Sequence, residues 1–376
     1  MIFPAKAKYF FLSVLLVALP AHRAQALLNL DGSRNQVFLF GSVTFAYNSN
    51  IFSESTARGD NSVTGEAGIE LKRRAGIIAV NCTAKLSYQR YTTYTGESAL
   101  NPSFYIEFNK TTGRTTGSLT INAYRESRSD SAVNILTHSW NFPLGLSIKY
   151  PLNDKFYVTS QSGYLERRYL NNTALANYRD YTEAVDVFYV YTSKLDLDGG
   201  YRIRASKTSI GRETYDHWFN LGATGGLFAK LNGSIRFGYQ IREVNGGGNF
   251  NHFNALAALT WPVTRKLTFS SQISRDFNTI ATGDSVDSTS LALRANYVIT
   301  RKADLESGLT YGRNLFLGGL PPQRRDHFFG WDISGHYRFN DHLRLAASYN
   351  YLQNWSTLNT SNFTRHAFSL DIASRF

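Results

Sequence analysis

Residues 78–89 read IAVNCTAKLSYQ, and this stretch decides the fold class. Its even-numbered positions are apolar or small, whereas the odd positions from 81 onward carry Asn, Thr, Lys, Ser and Gln. Such alternation gives a β-strand one apolar face and one polar face. The same pattern returns at 234–242 and 343–351, and helical periodicity is hard to find after residue 26.

The composition excludes several classes of protein. Charged residues make up 18% of the 376 residues and aromatic residues 14%, whereas an ordinary soluble domain carries roughly 25% charged residues. The mean hydropathy of −0.29 and the lack of a long apolar run after the N-terminal segment argue against a helical membrane protein. The one cysteine, Cys82, excludes an internal disulfide and a multi-cysteine metal site.

Residues 1–26 are predicted to be a secretory signal peptide. Lys6 and Lys8 precede a short apolar stretch, and Ala24-Gln25-Ala26 has the small-x-small form of a cleavage site. Cleavage after Ala26 would leave residues 27–376 as a single domain with 37 basic and 28 acidic residues, a net charge of +9. We therefore expect the mature chain to leave the cytoplasm.

An internal repeat predicts the number of strands. Tyrosines that follow a small or apolar residue recur at intervals of 36 to 41 residues, with one interval of 72. They are Tyr47, Tyr88, Tyr124, Tyr164, Tyr201, Tyr239, Tyr311 and Tyr349. Short turn signals alternate with longer polar loops at the same period. One β-hairpin per repeat predicts an all-β, up-and-down antiparallel β-barrel of about 18 strands, with 16 as the alternative count.

Two positions disagree with a regular ladder. Tyr124 falls on the polar face if Leu119 and Ile121 point outward, which suggests a β-bulge. Pro143 lies inside the sixth long strand and cannot donate a ladder hydrogen bond, so that strand is expected to begin late or to be irregular.

Strand length and aromatic placement favour a transmembrane barrel over a soluble β-protein. Strands of about 12 to 15 residues exceed the usual 5 or 6 of soluble sheets and suit a tilted bilayer crossing. Tyr and Trp gather at strand ends, where membrane interfaces favour them. The chain ends in Phe376, preceded on the same face by Phe368, Leu370 and Ile372. That ending resembles the signal by which the barrel-assembly machinery recognises outer-membrane barrels.

The polar face predicts what lines the barrel lumen. Its basic residues outnumber the acidic ones that the pattern identifies, Glu70, Asp186, Asp196, Asp198, Asp332 and Asp371. We predict lumen-lining basic residues at Lys85, Arg202, Arg204, Arg236, Arg242, Arg294, Arg338 and Arg344. They would favour anionic solutes, or would brace the wall by pairing across strands. Tyr157 and Phe188 share this face and are candidates for stacking against sugars.

The sequence predicts no enzyme, no cofactor and no metal site. His138 and Ser139 form a bare dipeptide, and no nucleophile, base and orienting group stand together in the sequence. Asp326 and His327 are too few for a metal site. Nucleic acid is also an unsuitable partner, because the chain is exported and its arginines fall on the lumen face.

The first hairpin resembles the opening of the putative β-barrel porin 2 family. Tyr47-Asn48-Ser49-Asn50-Ile51-Phe52, a polar stretch to Asp60 and the strand 63–74 carry this resemblance. It implies a bacterial outer-membrane barrel, and several members of that family are encoded with exopolysaccharide export machinery. The resemblance carries over no functional residue, because the family has no catalytic motif.

We therefore expect a porin-like channel in the bacterial outer membrane. It would contact outer-membrane lipid and pass hydrophilic, anionic solutes or an exported polysaccharide. The alternative is a structural or surface-interaction barrel with a lumen filled by side chains. The predicted loops, at most about 13 residues long, provide no obvious plug.

Overall fold

The structure is a computed structural model that describes residues 28–30, 34–74, 76–170, 174–317 and 323–376. The predicted signal peptide, residues 1–26, lies outside the described residues. Within them the chain forms nineteen β-strands and two short 3-10 segments. No helix in these ranges is long and apolar enough to cross a membrane.

The strands follow the alternating segments of the sequence. They are β1 Leu28–Leu30, β2 Asn35–Asn48, β3 Asp60–Arg73, β4 Ala79–Tyr91, β5 Ala99–Lys110, β6 Thr116–Asp130, β7 Ile135–Pro151, β8 Phe156–Leu170, β9 Tyr178–Val190, β10 Leu195–Thr208, β11 Glu213–Phe228, β12 Leu231–Val244, β13 Asn249–Pro262, β14 Leu267–Thr279, β15 Ser285–Val298, β16 Ala303–Leu317, β17 Arg325–Arg338, β18 Leu343–Ser356 and β19 Phe363–Arg375. The 3-10 segments are Thr95–Glu97 and Asn359–Ser361.

Strands β2 to β19 form a closed 18-strand antiparallel barrel. Each pairs with its neighbours in sequence, and β19 pairs with β2, as at Phe368 opposite Tyr47. The last residue completes the seam, because the Leu39 N–H donates to the Phe376 carbonyl at 2.9 Å. The short β1 pairs with the first residues of β2. The predicted count of 18 is confirmed, and the alternative of 16 is wrong. Because the first strand of the ring pairs with the last, the sheet has no terminal edge strand.

The wall has the two faces that the alternation predicts. In β4, Leu86 and Tyr88 are exposed on the outside, whereas Lys85 points inward. Most tyrosines of the repeat also lie on the outer face, where Tyr47, Tyr201 and Tyr311 are exposed. The small residue before each of them faces the lumen. At Gly200 a Cβ atom would lie 1.8 Å from the Asp186 carboxylate, so only glycine fits there.

The two irregular positions have simpler geometry than expected. Tyr124 faces the lumen opposite the buried Asn141, and the β5–β6 register is unbroken, so the predicted β-bulge is wrong. Strand β7 begins at Ile135, well before Pro143, so a late start is wrong. The alternative, an irregular strand, is confirmed: the ladder with β6 is interrupted at Phe142 and Pro143 and resumes in the same register. This interruption is local because one residue lacks an N–H.

The barrel has two different ends, which we call the turn end and the loop end. The turn end carries both termini of the described barrel and the eight short turns that join β3–β4 through β17–β18. The loop end carries the other nine connections. Exposed aromatic side chains surround the outer face near both ends. Tyr150 and Trp261 lie toward the turn end, and Tyr88 and Phe253 lie toward the loop end. This arrangement is typical of a membrane-spanning barrel.

Candidate functional site in the barrel lumen

The lumen wall is divided into two sectors. The packed sector is the lumen face of β9–β14, where large polar side chains are buried. The open sector is the lumen face of β15–β19 and β2–β4, where most charged side chains are accessible and the exceptions, Asp60, Asp287 and Asp326, lie toward the loop end. The predicted lumen-lining residues are distributed over both sectors.

A buried ion-pair network holds the packed sector together. Asp216 and Arg242 are both 0% exposed, and the Arg242 Nε and Nη2 groups donate to the two Asp216 oxygens at 2.7 Å each. Arg204 donates to Asp216 at 2.8 Å and to Asp276 at 3.2 Å, and Gln240 donates to Asp276 at 3.1 Å. Buried charges require such complete pairing, because leaving water is costly for each of them.

Two further predicted arginines belong to the packed sector. Arg236 lies 2.8 Å from Asp198 and 3.4 Å from Asp186 and braces three strands. Arg202 has no ion pair among the described residues, and its guanidinium lies over the Trp218 ring, 5.1 Å from the centroid. The Trp218 indole N–H is buried without an acceptor. A cation over an aromatic face is a stable arrangement for a partly desolvated charge.

The open sector contains the same residue types in an accessible setting. The Arg294 side chain is 55% exposed and pairs with Glu306. Lys85 pairs with Glu66 at 2.9 Å, and His336 lies 2.8 Å from Asp304. These pairs face water on the lumen side.

Arg338 and Arg344 lie directly opposite each other on β17 and β18 at the turn end. Both are exposed and both occupy lumen-facing positions. Arg338 donates to the Arg301 carbonyl at 3.3 Å, and in the described part of the chain neither guanidinium has a carboxylate partner. Two adjacent unpaired cations therefore stand at this mouth of the barrel.

Five of the eight predicted basic residues therefore brace the wall by forming ion pairs, which is the second of the two roles that the sequence predicted for them. Lys85, Arg204, Arg236, Arg242 and Arg294 form ion pairs, whereas Arg202, Arg338 and Arg344 do not. Sequence reasoning missed many of the partner carboxylates. The partner carboxylates lie on the polar face of strands other than the three whose alternation defines the fold class. They are Glu66, Asp216, Asp276, Asp304 and Glu306. The arginine excess inferred for the lumen is largely balanced by these groups.

The aromatic pair singled out in the sequence is brought together. Tyr157 and Phe188 stack with ring centroids 4.6 Å apart, and the Lys149 ammonium lies 3.7 Å from the Tyr157 ring centroid. Phe188 is 6% exposed, so it offers no free face for a sugar. Tyr157 donates its hydroxyl to Asp196 at 2.7 Å. The pair mainly fills the wall.

The β14–β15 hairpin folds into the lumen at the loop end. β13 pairs with β14 only from Leu256 to Pro262, and β14 beyond Ser274 pairs with β15 alone. Phe277 is consequently 1% exposed, with its ring 4.2 Å from that of His252 and beneath the Arg242 guanidinium. The hairpin tip reaches the β8–β9 connection, where the Ala281 carbonyl accepts the Ala176 N–H at 2.7 Å.

The β6–β7 hairpin crosses the same mouth from another side. β6 leaves β5 after Tyr124 and then pairs with β7 alone. Arg324, next to β17 on the far side of the ring, donates to the Ser131 and Ala132 carbonyls at 3.0 and 2.7 Å. Ser361 donates to Asn134 at 2.6 Å. The short loops were predicted to provide no obvious plug, but the ends of these two strand pairs fold inward and partly cover the lumen.

A Ser–His–Glu set lies where β6 leaves β5. The Ser127 hydroxyl lies 2.7 Å from His138 Nδ1, and Glu97 Oε2 lies 3.2 Å from His138 Nε2. Ser127 also lies 3.2 Å from Asn101 Oδ1. Sequence reasoning missed this set, because Glu97 lies in a separate connection and only the hairpin geometry brings it close. Among the described residues, no group of three or more His, Cys, Asp or Glu side chains is placed to hold a metal ion.

Comparison with family models agrees with the barrel. Residues 217–376 match a porin family. Its model is described as putative beta-barrel porin 2. The family resemblance seen in the sequence is confirmed, although this match covers the last nine strands rather than the first hairpin. No curated protein sequence matches the chain.

Solved structures show the same architecture at low sequence identity. OpdK of Pseudomonas aeruginosa, solved with vanillate, has a TM-score of 0.51 and 10% identity, covering 90% of this chain and 99% of its own. OccAB2 of Acinetobacter baumannii has a TM-score of 0.51 and 12% identity, covering 92% and 98%. The FrpB iron transporter of Neisseria meningitidis has a TM-score of 0.50 and 9% identity, covering 90% and 81%. These similarities establish the fold of an outer-membrane barrel.

Proposed function

We propose that this protein is a porin-like channel of the bacterial outer membrane for hydrophilic, anionic solutes. A ring of 18 strands is too wide for wall side chains alone to fill. The outer face is apolar with aromatic rings near both ends, and the open sector presents charged groups to water. The short turns and both termini belong on the periplasmic side, as in bacterial barrels generally.

The Arg338–Arg344 pair carries the anion preference. Further inside, the lumen charges are largely paired, so they contribute little net field along the pathway. The two guanidiniums at the turn end lack carboxylate partners, and a mouth with one sign of charge enriches the opposite ion. An acidic polysaccharide leaving the periplasm would meet this mouth first, which makes it the candidate large substrate.

Single-channel recording in planar bilayers tests this proposal. Under a salt gradient we expect the wild-type reversal potential to show anion preference, and the double variant Arg338→Gln/Arg344→Gln to lose most of it. The matched control, Arg90→Gln/Arg313→Gln, removes the same charge from exposed loop-end positions outside the lumen and should leave selectivity unchanged. An acidic oligosaccharide added on the turn-end side should reduce the current of the wild type more than that of the double variant.

The recording also distinguishes the channel from a structural barrel. The packed sector and the two inward-folded hairpins favour a partly filled lumen, which is the feature that a structural barrel would share. A correctly folded wild type with no conductance would support the structural barrel. Clear cation preference would reject the anionic substrate while leaving a channel.

We infer ester hydrolysis as a second candidate function, from the Ser127–His138–Glu97 geometry. If His138 donates its Nε2 proton to Glu97, its Nδ1 lone pair can accept the Ser127 proton. The Ser127 oxygen would then attack an ester carbonyl carbon, and the departing alkoxide would take the proton from His138. Water would hydrolyse the resulting acyl-serine by the same proton route, releasing the acid.

Covalent labelling tests this candidate directly. A fluorophosphonate probe should label the folded wild type at Ser127, and labelling should disappear in Ser127→Ala and His138→Ala. Ser129→Ala is the matched control, since Ser129 lies on the same strand face but contacts Ser53 instead. Absence of labelling in the folded barrel would reject catalysis and leave the three residues as a clamp between the hairpin and the β4–β5 connection.

A further inference from the structure

The turn end carries a nearly complete ring of exposed basic residues. We call it the basic ring. Within the described ranges, seven of the eight short turns contribute one or two exposed Lys or Arg residues each, counting Arg73 at the end of β3 with its turn. They are Arg73, Arg74, Arg114, Lys155, Lys194, Lys230, Arg265, Lys266, Arg301 and Lys302. The net positive charge of the chain is therefore concentrated at one end of the barrel.

The basic ring has almost no acidic counterpart. The acids in the eight turns, as far as the structure describes them, are Asp154 and Asp341. No residue of the ring forms an ion pair with a described residue. At the loop end, by contrast, Lys207 pairs with Glu213 and Arg212 pairs with Asp284. The cations of the turn end are thus available to a partner.

The ring lies at the level where a membrane surface would be. Arg114 places its guanidinium 4.8 Å from the ring centroid of Tyr150, which is exposed on the outer face. Arg73 lies on the outward face of β3, in line with the exposed Ile69 and Leu71. Aromatic rings mark the headgroup level of a bilayer, and long basic side chains beside them extend to the phosphates.

We propose that the basic ring binds anionic phospholipid headgroups of the leaflet that surrounds the turn end. Charge complementarity requires an anionic partner, and the geometry decides which kind. The cations are spread around the whole circumference rather than gathered on one side. A docked protein would cover one arc of the rim, whereas a leaflet contacts every turn simultaneously. Juxtamembrane Lys and Arg residues near an anionic surface attract such lipids.

Nanodiscs of defined composition test the proposal. The purified full-length barrel is placed in phosphatidylcholine nanodiscs with and without phosphatidylglycerol, and lipids retained after detergent extraction are counted by native mass spectrometry. Wild type should retain phosphatidylglycerol in preference to phosphatidylcholine. The triple variant Arg73→Gln/Arg114→Gln/Arg265→Gln should lower this preference by up to about 100-fold, since each cation contributes about fivefold.

A triple variant of the opposite end provides the matched control. Arg90→Gln/Arg313→Gln/Arg325→Gln removes the same charge from exposed loop-end residues and should retain the preference. Heat-modifiable migration on gels verifies that each variant is folded. If both triple variants lost the preference for phosphatidylglycerol equally, the effect would depend on the net charge alone, and the proposal would be overturned. Wild type without preference for phosphatidylglycerol would overturn it as well, and binding of an acidic soluble protein instead would identify a different partner.

Discussion

The packed sector and the open sector use the same residue types for different purposes. In the packed sector, Arg242 and Asp216 are fully buried and hydrogen-bonded to each other. In the open sector, Arg294 pairs with acidic residues while more than half of its side chain remains exposed. Burial, rather than the presence of an ion pair, therefore decides which charges hold the barrel together and which act on solutes.

The largest expected effect comes from breaking the buried network. Asp216→Asn leaves Arg242 and Arg204 without full compensation, and removing one partner of a buried ion pair costs about 3–5 kcal/mol of unfolding free energy. Equilibrium urea unfolding of the refolded barrel in detergent measures the loss. Asp332→Asn in the open sector is the control and should cost below about 1 kcal/mol. Equal losses would contradict the division into sectors.

The second test concerns the hairpin that covers the packed sector. Phe277→Ala removes a buried ring and should cost about 3–5 kcal/mol, since the cavity is not refilled. It should also raise single-channel conductance, because the β14–β15 hairpin loses its anchor against His252. Phe253→Ala is the control for both unfolding and conductance, because Phe253 lies on the outer face of the neighbouring strand β13 and is 79% exposed. Unchanged conductance in Phe277→Ala would show that this hairpin does not limit the pathway.

A smaller effect is expected at the mouth of the open sector. The buried Asp60 carboxylate accepts the Thr93 and Tyr94 N–H groups and joins two loop-end connections. Burial alone would raise the pKa of Asp60, but these backbone N–H groups hold the pKa below its ordinary value. Asp60→Asn should cost about 1–3 kcal/mol at neutral pH.

The pH dependence of that cost checks its origin. Because the pKa is lowered in the folded state, the stabilisation is complete above the ordinary carboxyl pKa and is lost as the pH falls through the folded value. Thermal unfolding of wild type and Asp60→Asn should therefore converge in acid. A difference that stays constant with pH would point to packing instead of charge.

The smallest effect is ionic screening in the open sector. The Arg338–Arg344 contribution to selectivity should fall between 0.1 M and 1 M salt, where the Debye length shortens from about 10 Å to 3 Å. Reversal potentials at the two concentrations measure the change. Unfolding free energies that depend on the Arg242–Asp216 pair should vary far less over the same range, because water and ions do not reach that pair.

Alternation along single strands was enough to predict the barrel, the turns and the direction of each face. Leu86 and Tyr88 point outward and Lys85 inward, as residues 78–89 indicate. The same pattern did not predict which lumen charges pair. Asp276 on β14 pairs with Arg204 on β10, four strands away along the wall. The two side chains come within hydrogen-bond distance only because the β14–β15 hairpin folds inward.

The number of strands, the face on which each residue lies and the basic excess of the turns are local properties. The alternation with a period of two and the turn signals depend only on residues that are close together in the sequence. Tertiary structure alone decided the buried network, the two inward-folded hairpins and the Ser127–His138–Glu97 set. Each of these joins residues from separate hairpins, and their contacts depend on where a strand leaves its neighbour. Alternation specifies the side on which a residue lies but not the distance that its strand end moves toward the axis.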